Sequence, residues 1–430
     1  MLVQDTAYST LLRGQRQELH LRIARALEER FTTVADTQPE ILARHFMEAG
    51  LPERSVVHRL RAGKNAAARS ADIEAISHLQ QGIEAIGGFP NEAGKDRLEL
   101  DLQFAAGPCL IATKGATSGE AVKTFTRARE LCRRIGHPVE YPQVMHWLTI
   151  AHAQRGELRE ALDTATATVA LAEGSGHRPA LINSTRGQAL ILLMLGRLLE
   201  ARKVIERNVS EFEACDEDEK LVTRTAGQDA GAAGLSVMAW GLWALGYADL
   251  AAARMAAAER RADAIGHPHT RAYALYYASV LHALRREPKI AYSHAERCLA
   301  LSEEHGFGHW RTLASAVRWS CAVLNDSALD SLSAAHPDLG GYAGAQYQLG
   351  ITALYLLLSE ALIERCELTS AFDFISKGLQ TTERTNERLF EGEFLRLQAH
   401  ALMAQGAVGA AENAQVALQK ALMIARSQHA

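Results

Sequence analysis

The amino-acid sequence predicts an all-α protein built from repeated helical hairpins. Ala, Leu, Glu, Arg and Gln dominate its 430 residues, and proline occurs only 10 times. Such a composition favours helices and provides few helix breakers. Turn residues also recur about every forty positions, which is typical of a repeat array.

The first series of turns has the form Gly-polar-x-x-x-Ala. It begins at Gly156, Gly196 and Gly246, with weaker echoes at Arg286, Cys366 and Gly406. The longest interval, from Arg286 to Cys366, spans eighty residues. This interval predicts one poorly marked unit near Asn325 and Asp326.

A second series of turns lies about twenty residues out of phase, at Gly136, Gly176, Gly266, Gly306 and Asn386. Glycine suits the left-handed residue that closes a helix, and a proline soon afterwards suits the first turn of the next helix. Each repeat is therefore predicted to be two helices of roughly 15 residues. Such hairpins bury their apolar faces only by stacking, which predicts a tetratricopeptide-like α-solenoid, a right-handed superhelix with a concave inner surface.

Two regions depart from the period. Residues 1–35 contain a helix, Gln15 to Phe31, and a polar stretch, and they are interpreted as a segment separate from the array at 36–430. The interval from Gly196 to Gly246 is ten residues too long and holds the acidic run 216–219. We interpret that run as a solvated loop, because insertions in repeat arrays usually form loops at one edge.

Composition and charge exclude several classes of protein. The chain has 46 Lys+Arg against 50 Asp+Glu, so it has no overall attraction for nucleic acid or an anionic membrane. The apolar run 189–195 is far shorter than the ~20 residues of a membrane span. The six cysteines form no CxxC pair, and the start lacks a signal-peptide pattern, so we expect a cytoplasmic protein.

Sequence motifs of catalysis are absent. The chain has no GxxxxGK[ST] loop, no HExxH and no Gly-x-Ser-x-Gly, which are the patterns of nucleotide, zinc and nucleophile sites. We therefore expect no catalytic residue, no cofactor and no metal. The recurrent Gly-His pairs are interpreted as helix ends whose imidazoles satisfy trailing carbonyl groups.

Four residues are candidates for contact with a partner. Trp240 and Trp310 fall on predicted first helices, where they either fill the core or project into the groove as anchors. Gln228 and Asp229 lie between Gly227 and Gly231. Asp229 is either a helix N-cap or a contact with another chain.

Several phrases, taken in one order, resemble the tail of large bacterial AAA/STAND-type ATPases, many of which begin with a class III adenylate/guanylate cyclase domain. They lie at Leu2–Tyr8, Leu42–Gly50, Gly227–Gly231, Ile265–Pro268, Glu303–Phe307 and Glu383–Arg388. The chain departs from that pattern at Ala230, where proline is common in those tails. The resemblance implies that residues 1–35 are the helical remnant of the segment that leaves the ATPase module.

Together these observations predict a non-catalytic interaction or scaffold module, the regulatory or sensor region of a signalling ATPase. A protein or peptide in the concave groove is the expected partner, and an ATPase or cyclase domain is another. The alternative is a truncated or split part of a multidomain adenylate cyclase or of an ATP-dependent transcriptional regulator.

Overall fold

The computed structural model describes residues 11–87, 89, 94–136, 139–224, 228–325 and 348–429. All the regular secondary structure within these ranges is α-helical. Helices follow one another in antiparallel pairs, so the all-α, tetratricopeptide-like α-solenoid predicted from the sequence is confirmed. The poorly marked unit predicted near Asn325 and Asp326 cannot be followed beyond Asn325, because residues 326–347 lie outside the described residues.

The chain divides into two compact units, and the first comprises residues 1–113 and 123–141. Its helices are α1 (Arg13–Arg30), α2 (Thr32–Thr37), α3 (Pro39–Glu48), α4 (Pro52–Ala68), α5 (Asp72–Ile86), α6 (Lys95–Lys114) and α7 (Gly119–Ile135). Helix α1 packs on α3 around Ala24, Leu42 and Phe46. The boundary predicted at residue 35 stays a prediction.

The second unit comprises residues 114–122 and 142–430. Its helices are α8 (Tyr141–Gln154, which starts at the boundary), α9 (Leu158–Ser175), α10 (Arg178–Met194), α11 (Leu198–Glu213), α12 (Glu217–Arg224), α13 (Ala230–Ala244), α14 (Ala248–Ile265), α15 (Pro268–Leu284), α16 (Pro288–His305), α17 (Gly308–Leu324), α18 (Ile351–Glu364), α19 (Leu368–Thr385), α20 (Glu391–Gln405) and α21 (Ala410–Gln428).

Both predicted series of turns are confirmed by the backbone. Every turn residue of the two series has a positive φ, between 60° and 94°. Glycine adopts this left-handed conformation without steric cost, whereas the Cβ atoms of Arg286, Cys366 and Asn386 make it less favourable. These three non-glycine turns keep the same geometry as the glycine turns.

The first and second helices of the repeats differ in burial. Helix α16 buries a single stripe, Ala291, Ala295, Cys298 and Ser302, as the helical spacing predicts. The first helices α10, α13, α15 and α18 bury most of their residues around the whole circumference. Each first helix packs on the first helix of a neighbouring repeat, and together they surround what we call the interior of unit 2.

Unit 2 closes on itself, because its last repeats contact its first ones. The backbone N–H of Gln348 donates to the carbonyl of Gln154 at 2.6 Å, and that of Arg388 donates to Met194 at 2.7 Å. These carbonyls belong to the last turns of α8 and α10, where the helix leaves acceptors unsatisfied. The contacts join positions almost two hundred residues apart.

Two local interpretations are corrected by the structure. The acidic run 216–219 begins the short helix α12 rather than a loop, because Asp216 accepts the Glu219 N–H at 2.8 Å and Glu219 accepts the Asp216 N–H at 3.2 Å. Acids are stabilised there by the helix dipole. The imidazoles of His177 and His267 accept N–H groups of the following helices, rather than satisfying trailing carbonyls.

Among the helices described here, none combines the length and the apolar content that crossing a membrane requires.

Candidate functional site

Buried charges single out the interior of unit 2. Among the described residues, the buried carboxylates belong to Glu99, Asp229 and Glu387, and Arg186 is the only buried arginine or lysine. Glu99 pairs with an arginine in unit 1, and Asp229 pairs with another in unit 2. Arg186 and Glu387 have no oppositely charged partner among the described residues, and both face the interior.

Arg186 lies on α10 against the neighbouring first helix α8. One of its terminal nitrogens lies 3.2 Å from Nε2 of His146, and only 7% of Arg186 is exposed. Burial, reinforced by the positive charge of Arg186, holds the pKa of His146 well below its usual value. His146 is therefore neutral and accepts a hydrogen bond from the guanidinium.

The backbone of α10 makes room for this imidazole. A Cβ atom at Gly187 would lie 2.7 Å from Cε1 of His146, which is closer than carbon atoms approach in folded proteins. Glycine at this position therefore lets α8 and α10 bring His146 and Arg186 together.

Two amides extend the polar cluster one turn along the same helices. Nδ2 of Asn183 donates to Oε1 of Gln143 at 3.0 Å. Nε2 of Gln143 and Oδ1 of Asn183 are buried and have no hydrogen-bond partner among residues of the described ranges. Within these ranges the cluster thus presents an unused donor and an unused acceptor beside a guanidinium whose own Nε also has no partner.

Tyr273 and Tyr277 of α15 form another wall of the cluster. Their rings stack with centroids 4.4 Å apart and an interplanar angle of 18°. Burial raises the pKa of both hydroxyls, and the positive charge of Arg186 opposes that rise. Both phenols are therefore neutral, and the hydroxyl of Tyr273 is buried beside Tyr277 and Arg186.

The two tryptophans predicted as anchors lie on first helices of unit 2. Trp240 is 2% exposed, and its indole N–H donates to the carbonyl of Tyr277 at 3.0 Å. Trp310 is 7% exposed and donates to Nε2 of His269 at 2.9 Å. Both rings are packed in this structure, and their role as partner anchors stays a prediction.

The turn between α19 and α20 carries Glu387 into the interior. Its carboxylate, 1% exposed, accepts hydrogen bonds from the hydroxyl of Thr352 and from the backbone N–H of Gly350, the latter at 3.1 Å. Burial raises the pKa of Glu387 to about 7, although these hydrogen bonds oppose the rise. Three residues later, the ring of Phe390 lies 6.2 Å from that of Trp240.

The other predicted pair lies at the N-terminal end of α13. Asp229 is fully buried and caps α13 by accepting the Ala232 N–H at 2.8 Å. Its two oxygens also accept hydrogen bonds from Arg261, at 2.6 and 2.9 Å. Gln228 is half-buried. The N-cap interpretation thus describes Asp229 in this structure, and contact of either residue with a partner stays a prediction.

Arg186, His146 and Glu387 were not predicted from the sequence. The repeat period itself could have indicated the pair, because His146 and Arg186 lie forty residues apart, at equivalent positions of successive repeats. Polar residues at equivalent positions of successive first helices, inside otherwise apolar segments, indicate a shared interior surface.

Comparisons with known proteins support the fold. No protein-family model matches the chain. The uncharacterized protein R02095 of Rhizobium meliloti (strain 1021) is 29% identical over 286 residues, which are 64% of this chain and 26% of that protein. The chain therefore matches about a quarter of the length of that relative.

Two solved structures match most of this chain, and the first of them is similar in fold. A Rap protein complexed with Competence and Sporulation Factor has a TM-score of 0.57 at 12% identity, over 88% of this chain and 99% of that chain. The apo form of RapI has a TM-score of 0.46 at 10% identity, over 86% of this chain and 98% of that chain.

Proposed function

We propose that this chain is a non-catalytic module that binds a peptide or an extended protein segment in the interior of unit 2. The observation that carries the proposal is the polar cluster around Arg186, which lies inside a shell of apolar first helices. Unsatisfied donors and acceptors are costly when buried. A bound ligand compensates that cost by completing the hydrogen bonds.

The aromatic side chains around the cluster suit the same role. Tyr, Trp and Arg are the residues that contribute most to binding energy at protein interfaces. Here Tyr273, Trp240 and Trp310 lie on adjacent first helices. The Rap protein of similar fold was solved as a complex with Competence and Sporulation Factor, which supports a binding role for an array of this kind.

Within a cell, we propose that the chain is the regulatory or sensor region of a signalling ATPase. The support is the resemblance of its recurrent phrases to the tails of AAA/STAND-type ATPases, and the greater length of the Rhizobium relative. The alternative is a part of a multidomain adenylate cyclase or of an ATP-dependent transcriptional regulator.

The binding role is tested with a displayed library of random decapeptides and the purified full chain. Selected peptides are expected to bind with Kd values near ~10 μM or tighter and to compete with one another. Exchange of an exposed arginine on an outer helix, Arg207→Met, is the control and should leave affinity unchanged. A library in which every peptide binds more weakly than about 1 mM contradicts the proposal.

The regulatory role is tested by reading the DNA upstream of the codon for Met1. An in-frame ATPase module supports it, and an additional cyclase module favours the alternative. Unrelated, separately transcribed genes on both sides contradict both.

A further inference from the structure

Arg186 differs from the other arginines that meet buried acids in this chain. Arg127 and Arg261 each pair with a buried carboxylate, at 2.6 Å in both cases. Arg186 is more buried than either, yet its guanidinium meets only neutral side chains among the described residues. Transfer of an unpaired charge into a protein interior is costly, so buried charges are normally paired.

The surroundings of Arg186 combine one positive charge with several hydrogen-bond donors. His146 is neutral and accepts a hydrogen bond from one side of the guanidinium, while Nε on the other side has no partner in the part of the chain that the structure describes. The amide nitrogen of Gln143 is a further donor that has no partner among the described residues. Several donors around one positive charge favour a ligand group that is negative and accepts several hydrogen bonds.

We propose that Arg186 binds a carboxylate group of the ligand, a proposal that rests on the peptide-binding function above. A carboxylate is planar and matches the fork of donors on a guanidinium. It is also smaller than a phosphate group, and the smaller group is favoured because Arg186 is only 7% exposed. In a peptide this group is the C-terminal carboxylate or the side chain of Asp or Glu.

The first test compares the stability of two matched variants. Arg186→Met removes a charge that has no counterion among the described residues, so the Tm of the ligand-free protein is expected to stay within about 2 °C or to rise. Arg261→Met is the control, because it leaves the buried Asp229 unpaired and is expected to lower Tm by about 5 °C or more. Equal losses in the two variants would show that Arg186 serves packing, which contradicts the proposal.

The second test uses three synthetic pools of N-acetylated pentapeptides, screened against the full chain by affinity selection and titration. The first pool has free C-termini and lacks Asp and Glu. The second has amidated C-termini and contains Asp and Glu. The third is amidated and lacks both acids, so it carries no carboxylate.

Binders are expected from the first or the second pool, which identifies the source of the carboxylate, and Arg186→Met should weaken them by at least about 30-fold. Binders from the third pool of equal affinity overturn the carboxylate site and leave the peptide-binding function standing. Binders whose affinity is unchanged in Arg186→Met overturn it as well. If no pool yields a binder, the peptide-binding function fails, and the carboxylate site fails with it.

Discussion

Substitution of Glu387 by glutamine should change how the stability of unit 2 depends on pH. In the folded state burial raises the pKa of this carboxyl group from 4.5 to about 7. Among the described residues, the groups that face Glu387 are the Thr352 hydroxyl, the Gly350 N–H and Tyr276. None of them titrates between pH 4.5 and pH 7, because burial raises the pKa of Tyr276 above its usual value. The glutamine side chain retains an acceptor for these donors and removes the titration.

The sign of the effect follows from proton binding. Between pH 4.5 and pH 7 the folded protein binds this proton more tightly than the unfolded chain does, so stability falls as pH rises. The full shift corresponds to about 3 kcal/mol, and the part lost between pH 5 and pH 8 is about 2.5 kcal/mol. The Glu387→Gln variant has no titrating group at this position, so this pH-dependent loss of stability should be absent from it.

The assay is urea unfolding followed by tryptophan fluorescence. All 5 tryptophans lie in unit 2, so their emission reports that unit alone. We expect the unfolding free energy of the wild type to fall by about 2.5 kcal/mol relative to that of Glu387→Gln when the pH is raised from 5 to 8. A difference that stays constant within about 0.5 kcal/mol refutes the raised pKa of this buried carboxyl group.

Three further predictions concern stability and accessibility. Asp229→Ala should lower the unfolding free energy by about 3 kcal/mol. Asp229→Asn should lower it by less, because asparagine can still accept the helix N–H as an N-cap. Equal losses in the two variants would rule out the contribution of the N-cap. Gly156→Ala and Gly246→Ala both introduce Cβ at a φ near 80°, but only the first meets a side chain, 2.5 Å away across the closure of unit 2. The first should therefore cost about 1–3 kcal/mol more, and equal melting temperatures would argue against the closure. In the native protein only Cys366 should react quickly with a thiol reagent, because the other cysteines are buried. Fast reaction of two or more thiols per chain would contradict the packing.

The repeat architecture could be predicted from sequence because the turns are local. A residue such as Gly266 or Asn386 terminates a helix through its own backbone conformation, so the spacing of such residues carries the period. The burial stripe of α16 follows in the same way from helical geometry. The extra helix α12 was missed because acids typical of a solvated segment are equally suited to a first turn.

The closure of unit 2 and the Arg186 cluster could not be predicted, because both depend on small rotations between repeats. These rotations accumulate over about two hundred residues before Gln154 meets Gln348. Ser184, Thr185 and Arg186 are consecutive polar residues, which by themselves predict an exposed segment. All three are nevertheless buried, because α8, α10 and α15 surround the interior. Helical periodicity determines which way a residue faces within its own hairpin, and the neighbouring repeats determine what it meets.

The carboxylate site is tested most directly by a crystal structure of the full chain with a peptide selected from the carboxylate-bearing pools. We expect the peptide in the interior of unit 2, with a carboxylate oxygen about 3 Å from the guanidinium of Arg186. A peptide seated on the outer helices, with the cluster around His146 unchanged, would contradict it.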